Sequence, residues 1–217
     1  MNFTVYLVTV LLLLSDSGGT VFAFIDANSV ANGYRNDRRM TKLYISQVND
    51  EQISTDITEL MKKHDPILLY ASKLLPPTTS RDASALYAWC RRLDEITDNV
   101  HSDASTIQQQ LVEWEDRFDK LSRGEPVDAM DAALTQCLQR NADTLDEQPF
   151  HDMISGMKSD AIDGIRTIQN MEELEIYCYQ VAGTVGCMLL PLLNADIEKS
   201  REPAIALGKS IQLINTY

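Results

Sequence analysis

Apolar residues recur at helical spacing along most of this 217-residue chain. The clearest stripe advances in steps of four and three residues, through Ile107, Leu111, Trp114, Phe118 and Leu121. That spacing is typical of an amphipathic helix, and Gly124 follows it as an expected C-cap. We find no convincing period-two alternation, no hairpin dipeptide between strand-like segments and no internal repeat. The pattern predicts an all-α chain.

The same periodicity predicts helices on both sides of this stripe. Before it, residues 56–75 read as a helix interrupted at Pro66, and a second helix runs to about Asn99. Hydroxyl residues at 78–80 are available as N-caps for that second helix. After the stripe we predict helices over 130–145, from Pro149 onward, over 176–193 and over 202–217. The chain therefore reads as a succession of helices joined by short turns.

Residues 176–193 form the most apolar segment, whose length approaches that of a transmembrane helix. Gln180, Pro191 and two glycines favour a buried core helix instead. Tyr177 and Val181 are predicted to line one side of it, and Gly186 allows a neighbouring helix or a ligand chain to approach closely.

The polar stretch before Asn99 carries the candidate chemistry. In a helix, Tyr87, Arg91, Asp94 and Asp98 share one face, and the two aspartates lie one turn apart, with about 6 Å between their Cβ atoms. Two carboxylates at that spacing suit Mg²⁺, which prefers oxygen ligands and often bridges to phosphates. Arg91 has the planar geometry to hold the phosphate itself. The alternative is a solvated helix face with an Arg91–Asp94 salt bridge.

Composition narrows the class of protein without defining a site. A chain that is 44% apolar and 24% charged buries one ordinary core, so we expect one domain over residues 51–217. Its formal charge of −13 argues against nucleic acid or an anionic membrane surface as a partner. The four cysteines fall inside apolar helical patterns and read as core thiols rather than as a disulfide framework or zinc site.

The first fifty residues read as a targeting leader. Residues 1–23 have the apolar run and the small-residue cleavage site of a signal peptide, and residues 24–50 follow as a basic segment beginning at Phe24. This arrangement resembles the two-part plastid leader of algae with secondary plastids. We therefore expect a plastid location, with the secretory pathway or the mitochondrion as alternatives.

Several blocks together resemble the squalene/phytoene synthase family. Residues 89–98 are similar to its first aspartate-rich motif, and residues 177–186 match a second, more specific block. Residues 149–157 match a third block, and residues 206–215 resemble the start of the second aspartate-rich region. The matching blocks occur in the same order as in the family and extend from about Leu60 to Asn215.

Membership of this family implies a helical isoprenoid synthase bundle with a central cavity. It also implies a prenyltransferase that joins two prenyl diphosphates head to head. The first motif is closer to the branch that couples two geranylgeranyl diphosphates, through prephytoene diphosphate, to phytoene. The resemblance places Gln212 and Asn215 at the cavity, with Asn215 beside the metal ions, and the expected ion is Mg²⁺, with Mn²⁺ as the alternative. We also expect peripheral association with plastid membranes.

Two departures from the family pattern qualify this interpretation. In the family, the helix that holds Gln212 and Asn215 continues into an Arg-Asp-x-x-x-Asp motif, whereas this sequence ends at Tyr217. A Ser- or Thr-Phe block is replaced by residues 65–70, so no phosphate-binding role is assigned there. We therefore expect a bundle without its C-terminal helices, which would reflect an incompletely predicted gene, an incomplete isoform or a natural pseudoenzyme. A non-catalytic assembly factor and a synthase making squalene or a thirty-carbon carotenoid precursor are the alternatives.

Overall fold

The structure, a computed structural model, describes residues 50–99, 101–163 and 168–216, and every regular element within those ranges is helical. In chain order the elements are α1 (Asp50–His64), α2 (Pro66–Ser72), α3 (Pro77–Thr97), α4 (Ala104–Ser122), α5 (Ala129–Arg140), α6 (Gln148–Asp163), α7 (Met171–Cys178), the π-helical segment (Tyr179–Gly183), α8 (Thr184–Leu192) and α9 (Ile197–Thr216). The all-α prediction is confirmed. The predicted leader over 1–23 and 24–50 lies outside the described residues, apart from the backbone of Asp50 at the start of α1, and remains a prediction.

Two helices end in the same hydrogen-bonded turn. At the end of α4, Gly124 has a φ of 87°, and its N–H donates to Leu121 while Glu125 N–H donates to Lys120. This is a Schellman motif, in which a left-handed residue closes the helix, so the predicted glycine cap is confirmed. Asn194, with a φ of 52°, ends α8 in the same way.

Some predicted helix boundaries differ from those observed. The hydroxyl residues before the central helix do not cap it, because α3 begins at Pro77, whose missing N–H and fixed φ suit the first helical turn. The helix predicted over 130–145 ends at Arg140, and Leu145 packs into the core from the following loop. The last helix begins at Ile197, five residues earlier than predicted.

An aromatic cluster forms the centre of the core between α3, α4 and α6. The rings of Phe118 and Phe150 stack with centroids 4.6 Å apart, and Trp89 meets Phe150 edge to face at 5.0 Å. Trp89 also contacts Phe118 at 5.6 Å, so one residue from each helix meets the other two. This cluster fixes α3, which carries the predicted site, against two neighbours.

The apolar segment predicted as a single helix contains a π-helical turn. Residues 179–183 separate α7 from α8, and α9 packs closely across this turn. At the crossing, a Cβ added to Gly208 would lie 2.8 Å from the carbonyl oxygen of Ala182 and 2.9 Å from the Cα of Gly183. Only glycine therefore permits this close approach of two backbones. No described helix is both long enough and apolar enough to cross a bilayer.

Candidate active site

The four predicted residues on α3 differ in exposure. Tyr87 and Asp94 are buried, Arg91 is half-buried and Asp98 is exposed at the C-cap of the helix. This face of α3 therefore runs from the interior at Tyr87 to solvent at Asp98. Because Asp94 is only 2% exposed, the alternative of a solvated helix face is excluded for that carboxylate.

Asp94 is a buried carboxylate without full hydrogen bonding. Its Oδ2 atom accepts no hydrogen bond from any of the described residues. Burial raises the pKa of Asp94 to about 7, with the charge of Asp98 adding to the shift and that of Arg91 opposing it. A buried oxygen that lacks a donor fits a cation, because a bound cation would restore the ionised carboxylate that burial disfavours.

Arg91 makes its ion pair with the neighbouring turn. Its Nε atom lies 3.6 Å from Glu95 Oε1, and Glu95 Oε1 also lies 3.1 Å from Nε2 of His64 at the end of α1. The buried Nε of Arg91 makes no hydrogen bond within the described part of the chain. The half-buried guanidinium on the same helix face as Asp94 nevertheless suits an anionic ligand group.

Arg92, adjacent in sequence, has a structural role. Its guanidinium donates to Asp131 Oδ1 at 3.0 Å and to Asp128 Oδ2 at 2.7 Å, and it lies 5.0 Å from the ring centroid of Trp114. Arg117 contacts the same two carboxylates from α4. The two neighbouring arginines of the motif therefore face different surroundings, and only Arg91 belongs to the candidate site.

Tyr87 has a partner that the sequence did not predict. Its hydroxyl donates to Oδ2 of Asp65, a carboxylate that is 7% exposed in the turn between α1 and α2. The contact joins residues 22 positions apart. Asp65 lies in the block that departs from the family pattern, and this departure was the only signal in the sequence.

A pocket of about 320 Å³ opens at the other end of the same face of α3. Ser80 and Ser84 line it from α3, seven and three residues before Tyr87. Its apolar wall comes from α1, α2 and α5, through Ile53, Ile57, Met61, Leu69 and Ala133. The sequence did not predict this pocket, because four separate helices contribute to it.

The remaining predicted residues lie on the second half of the chain. Val181, in the π-helical segment, and Gly186, in α8, are buried, and Tyr177 is half-buried. Gln212 of α9 is buried at 8% exposure, whereas the side chain of Asn215 lies outside the described residues. α8 packs against α3, and α9 packs against α7, the π-helical segment and α8. The roles of these residues remain predictions.

Of the predicted metal ligands, the structure describes the side chains of Asp94 and Asp98. Within residues 50–99, 101–163 and 168–216, no three His, Cys, Asp or Glu side chains gather where they could hold one ion. Asp94 and Asp98 are a pair without a third described carboxylate. Their metal-binding role therefore remains a prediction, as does that of Asn215.

Tyr179 is a further tyrosine, for which the sequence predicted no role. Its hydroxyl donates to Asp152 Oδ2 at 2.9 Å, which links the π-helical segment to α6. Burial, together with this hydrogen bond, raises the pKa of Tyr179 to about 12. The contact fixes the turn that carries Val181.

Comparison with known proteins defines the class. The family model for squalene/phytoene synthases matches residues 61–217. Two solved structures share the fold: a dehydrosqualene synthase in complex with ligand (28% identity, TM-score 0.62, 81% of this chain and 57% of that chain) and the squalene synthase HpnC from Alicyclobacillus acidocaldarius (21% identity, TM-score 0.67, 79% and 63%). The fold is thus the helical isoprenoid synthase bundle, as predicted.

The chain belongs to the squalene/phytoene synthase family. It is 40% identical over 154 residues to 15-cis-phytoene synthase of Synechocystis sp., covering 65% of this chain and 44% of that protein. It is 40% identical over 148 residues to chloroplastic phytoene synthase 1 of Arabidopsis thaliana, covering 65% and 34%. The chain therefore spans about a third to a half of the length of these relatives.

Proposed function

We propose that the protein acts as a phytoene synthase, a prenyltransferase that joins two molecules of geranylgeranyl diphosphate head to head. The observation that carries the proposal is Asp94, a buried carboxylate with an unpartnered oxygen one helical turn from Asp98. The relatives at 40% identity are named phytoene synthases, which supports the product.

The residues of α3 have distinct roles in this proposal. Asp94 and Asp98 would hold Mg²⁺, with Mn²⁺ as the alternative, and the ion would neutralise the diphosphate group as it leaves. Arg91 would bind the diphosphate through its guanidinium, because charge-assisted hydrogen bonds favour the departing anion. The buried Val181 and Gly186 form part of an apolar wall that excludes water from the allylic cation.

The pocket at the start of α3 is proposed to accept the far end of a prenyl chain. Asp94 and Ser84 are ten residues apart on one helix, which corresponds to about 15 Å along the axis. A long prenyl chain can span that distance with its diphosphate beside Asp94. The apolar side of the pocket, from Ile53 to Ala133, suits a hydrocarbon.

The test is an assay of the purified protein, expressed from its complete gene, with geranylgeranyl diphosphate and Mg²⁺. Phytoene formation is expected for the wild-type protein and for the control Asp143→Asn, which removes an exposed carboxylate. Asp98→Asn should reduce kcat at least a hundredfold, because it removes a predicted ligand of the ion. An active Asp98→Asn variant would contradict the metal role, and an inactive wild-type protein would favour a non-catalytic family member.

A thirty-carbon product is the second candidate. The solved structure at 28% identity is that of a dehydrosqualene synthase, which supports this alternative for the same fold. Assaying fifteen- and twenty-carbon diphosphates side by side separates the two candidates. Consumption of only the fifteen-carbon substrate would refute the phytoene assignment.

We also propose a plastid location, with peripheral attachment to plastid membranes. The leader predicted over residues 1–50 supports import, and the relative from Arabidopsis thaliana is named chloroplastic. Residues 1–50 fused to a fluorescent protein should accumulate in plastids, whereas secretion or mitochondrial import of the fusion would contradict the proposal. Fractionation of isolated plastids should place the protein with membranes until an alkaline carbonate wash releases it.

A further inference from the structure

Three large apolar side chains on α2 and the turn after it are exposed to solvent. Ile67, Tyr70 and Leu74 are 68%, 70% and 74% exposed. Backbone hydrogen bonds continue the helical path through the turn, so their spacing of three and four residues places them on one side. Leu68 and Ser72, on the other side, are buried. No other stretch of eight residues in the described parts of the chain exposes three such side chains.

The charges around this stripe are basic, although the whole chain carries a formal charge of −13. From residue 62 to residue 81 the one acidic residue is Asp65, which is buried and accepts the hydroxyl proton of Tyr87. Glu95, which reaches this stretch from α3, is paired with His64 and Arg91. The exposed charged side chains of the stretch are all basic, and they are Lys62, Lys63, Lys73 and Arg81. The local charge is therefore opposite in sign to that of the chain.

We propose that this surface, the α2 patch, seats the protein on a lipid bilayer that contains anionic headgroups. The patch consists of the three exposed apolar side chains and the four exposed basic ones. The apolar side chains enter the boundary between headgroups and acyl chains, and the basic side chains pair with lipid phosphates. The inference rests on the membrane attachment proposed above, and it names the face that makes the attachment and the lipid charge that this face selects.

Two features favour a bilayer over a protein partner. The three apolar side chains protrude from a two-turn helix instead of lining a groove, so they fit a fluid surface that needs no matching shape. Lys73 and Arg81 also line the pocket of about 320 Å³ that is proposed to hold a prenyl chain. The patch and the pocket are therefore neighbours, and a bilayer on the patch lies close to a site for a hydrocarbon.

Vesicle binding by the full-length protein tests the apolar part of the patch. The probes are vesicles of phosphatidylcholine alone and vesicles that also contain phosphatidylglycerol, which is anionic. The wild-type protein should sediment with the anionic vesicles and only weakly with the neutral ones. Tyr70→Gln combined with Leu74→Gln should weaken binding to anionic vesicles at least about tenfold, because two large apolar side chains no longer enter the lipid. Val112→Gln, which removes an exposed apolar side chain from α4, is the matched control and should bind like the wild type.

Lys62→Gln combined with Lys63→Gln tests the basic part. This pair should weaken binding to the anionic vesicles about tenfold and leave the weak binding to phosphatidylcholine unchanged. The dependence of binding on salt concentration should also fall, because fewer charges take part. Lys120→Gln, the same change at an exposed position of α4, is the matched control and should bind both kinds of vesicle like the wild type.

The outcomes separate the α2 patch from the attachment as a whole and from the synthase reaction. Normal vesicle binding by both double variants would overturn the patch while leaving the attachment, whereas a wild-type protein that binds neither kind of vesicle would overturn both. Normal vesicle binding by the Tyr70→Gln, Leu74→Gln protein together with a lower urea midpoint would show that other parts of the full-length chain cover the stripe. Loss of vesicle binding in both double variants of a protein that does not turn over geranylgeranyl diphosphate would support the patch and refute the synthase assignment.

Discussion

The burial of Asp94 costs free energy that depends on pH. Burial raises its pKa to about 7, so between its ordinary pKa and pH 7 the folded chain keeps a proton that the unfolded chain has released. The contribution of this group to the free energy of unfolding therefore falls as the pH rises through that window. Above pH 7 the folded protein contains a buried charge unless a cation is bound.

Asp94→Asn tests this cost directly, because the amide cannot ionise. With a chelator present, the free energy of unfolding of the variant, relative to that of the wild type, should rise by about 1 to 3 kcal/mol from pH 5 to pH 8. Urea unfolding at both pH values measures the difference, with Asp143→Asn as an exposed control. Added Mg²⁺ should stabilise the wild-type protein and not the variant. A stability difference that is the same at both pH values would contradict the assignment.

Asp131 stabilises the junction of three helices. It is 1% exposed, accepts from Arg92 of α3 at 3.0 Å and from Arg117 of α4 at 2.8 Å, and also accepts the Val127 N–H at 3.1 Å. Removing one partner of a buried ion pair leaves the other charges uncompensated. The network therefore holds α3 in place beside α4 and α5.

Asp131→Asn should lower the free energy of unfolding by about 3 kcal/mol, because it retains the shape but removes the buried charge. Asp116→Asn, an exposed change on α4, is the matched control and should have little effect. Chemical denaturation of both variants provides the comparison. Equal stability of the two would show that the cluster contributes little to the junction.

The crossing of α9 over the π-helical segment provides a second test of how two elements pack together. Gly208→Ala would place a Cβ within 2.9 Å of backbone atoms of Ala182 and Gly183, so one helix must move. We expect a loss of about 1 to 3 kcal/mol despite the better helix propensity of alanine. In Gly183→Ala the nearest atoms are side-chain carbons at 3.0 and 3.5 Å, which can adjust, so thermal unfolding should show a smaller loss. A larger loss for Gly183→Ala than for Gly208→Ala would show that backbone contacts do not limit how closely the two helices approach.

Helical periodicity predicted where the helices lie, but not how deeply their side chains are buried or which residues those side chains contact. It placed Asp94 and Asp98 on one face of α3 but could not distinguish the buried carboxylate from the exposed one. It could not show the Asp65–Tyr87 hydrogen bond, because that contact depends on how α2 packs against α3. The π-helical turn was missed because apolar residues continue through it without a break in composition.

At the scale of the whole molecule, α3 connects the features of the proposed site. Its C-terminal half carries Asp94 and Asp98, its middle holds Tyr87 against Asp65, and its N-terminal half borders the pocket at Ser84. Trp89 and Arg92 fix the other side of the helix to the core. A substitution in the pocket should therefore change which chain length of substrate the protein accepts, without disturbing Asp94 and Asp98.

Ser84→Phe is the variant that tests this separation. The added ring would occupy part of the 320 Å³ pocket, so a twenty-carbon chain should no longer fit with its diphosphate beside Asp94. We expect kcat/KM for geranylgeranyl diphosphate to fall at least about tenfold, and that for the fifteen-carbon diphosphate to change little. Ser155→Phe, the same substitution at an exposed position of α6, should leave both unchanged. An equal fall in kcat/KM for both substrates would show that the prenyl chain lies elsewhere. A block at the far end of the chain must affect the longer substrate more than the shorter one.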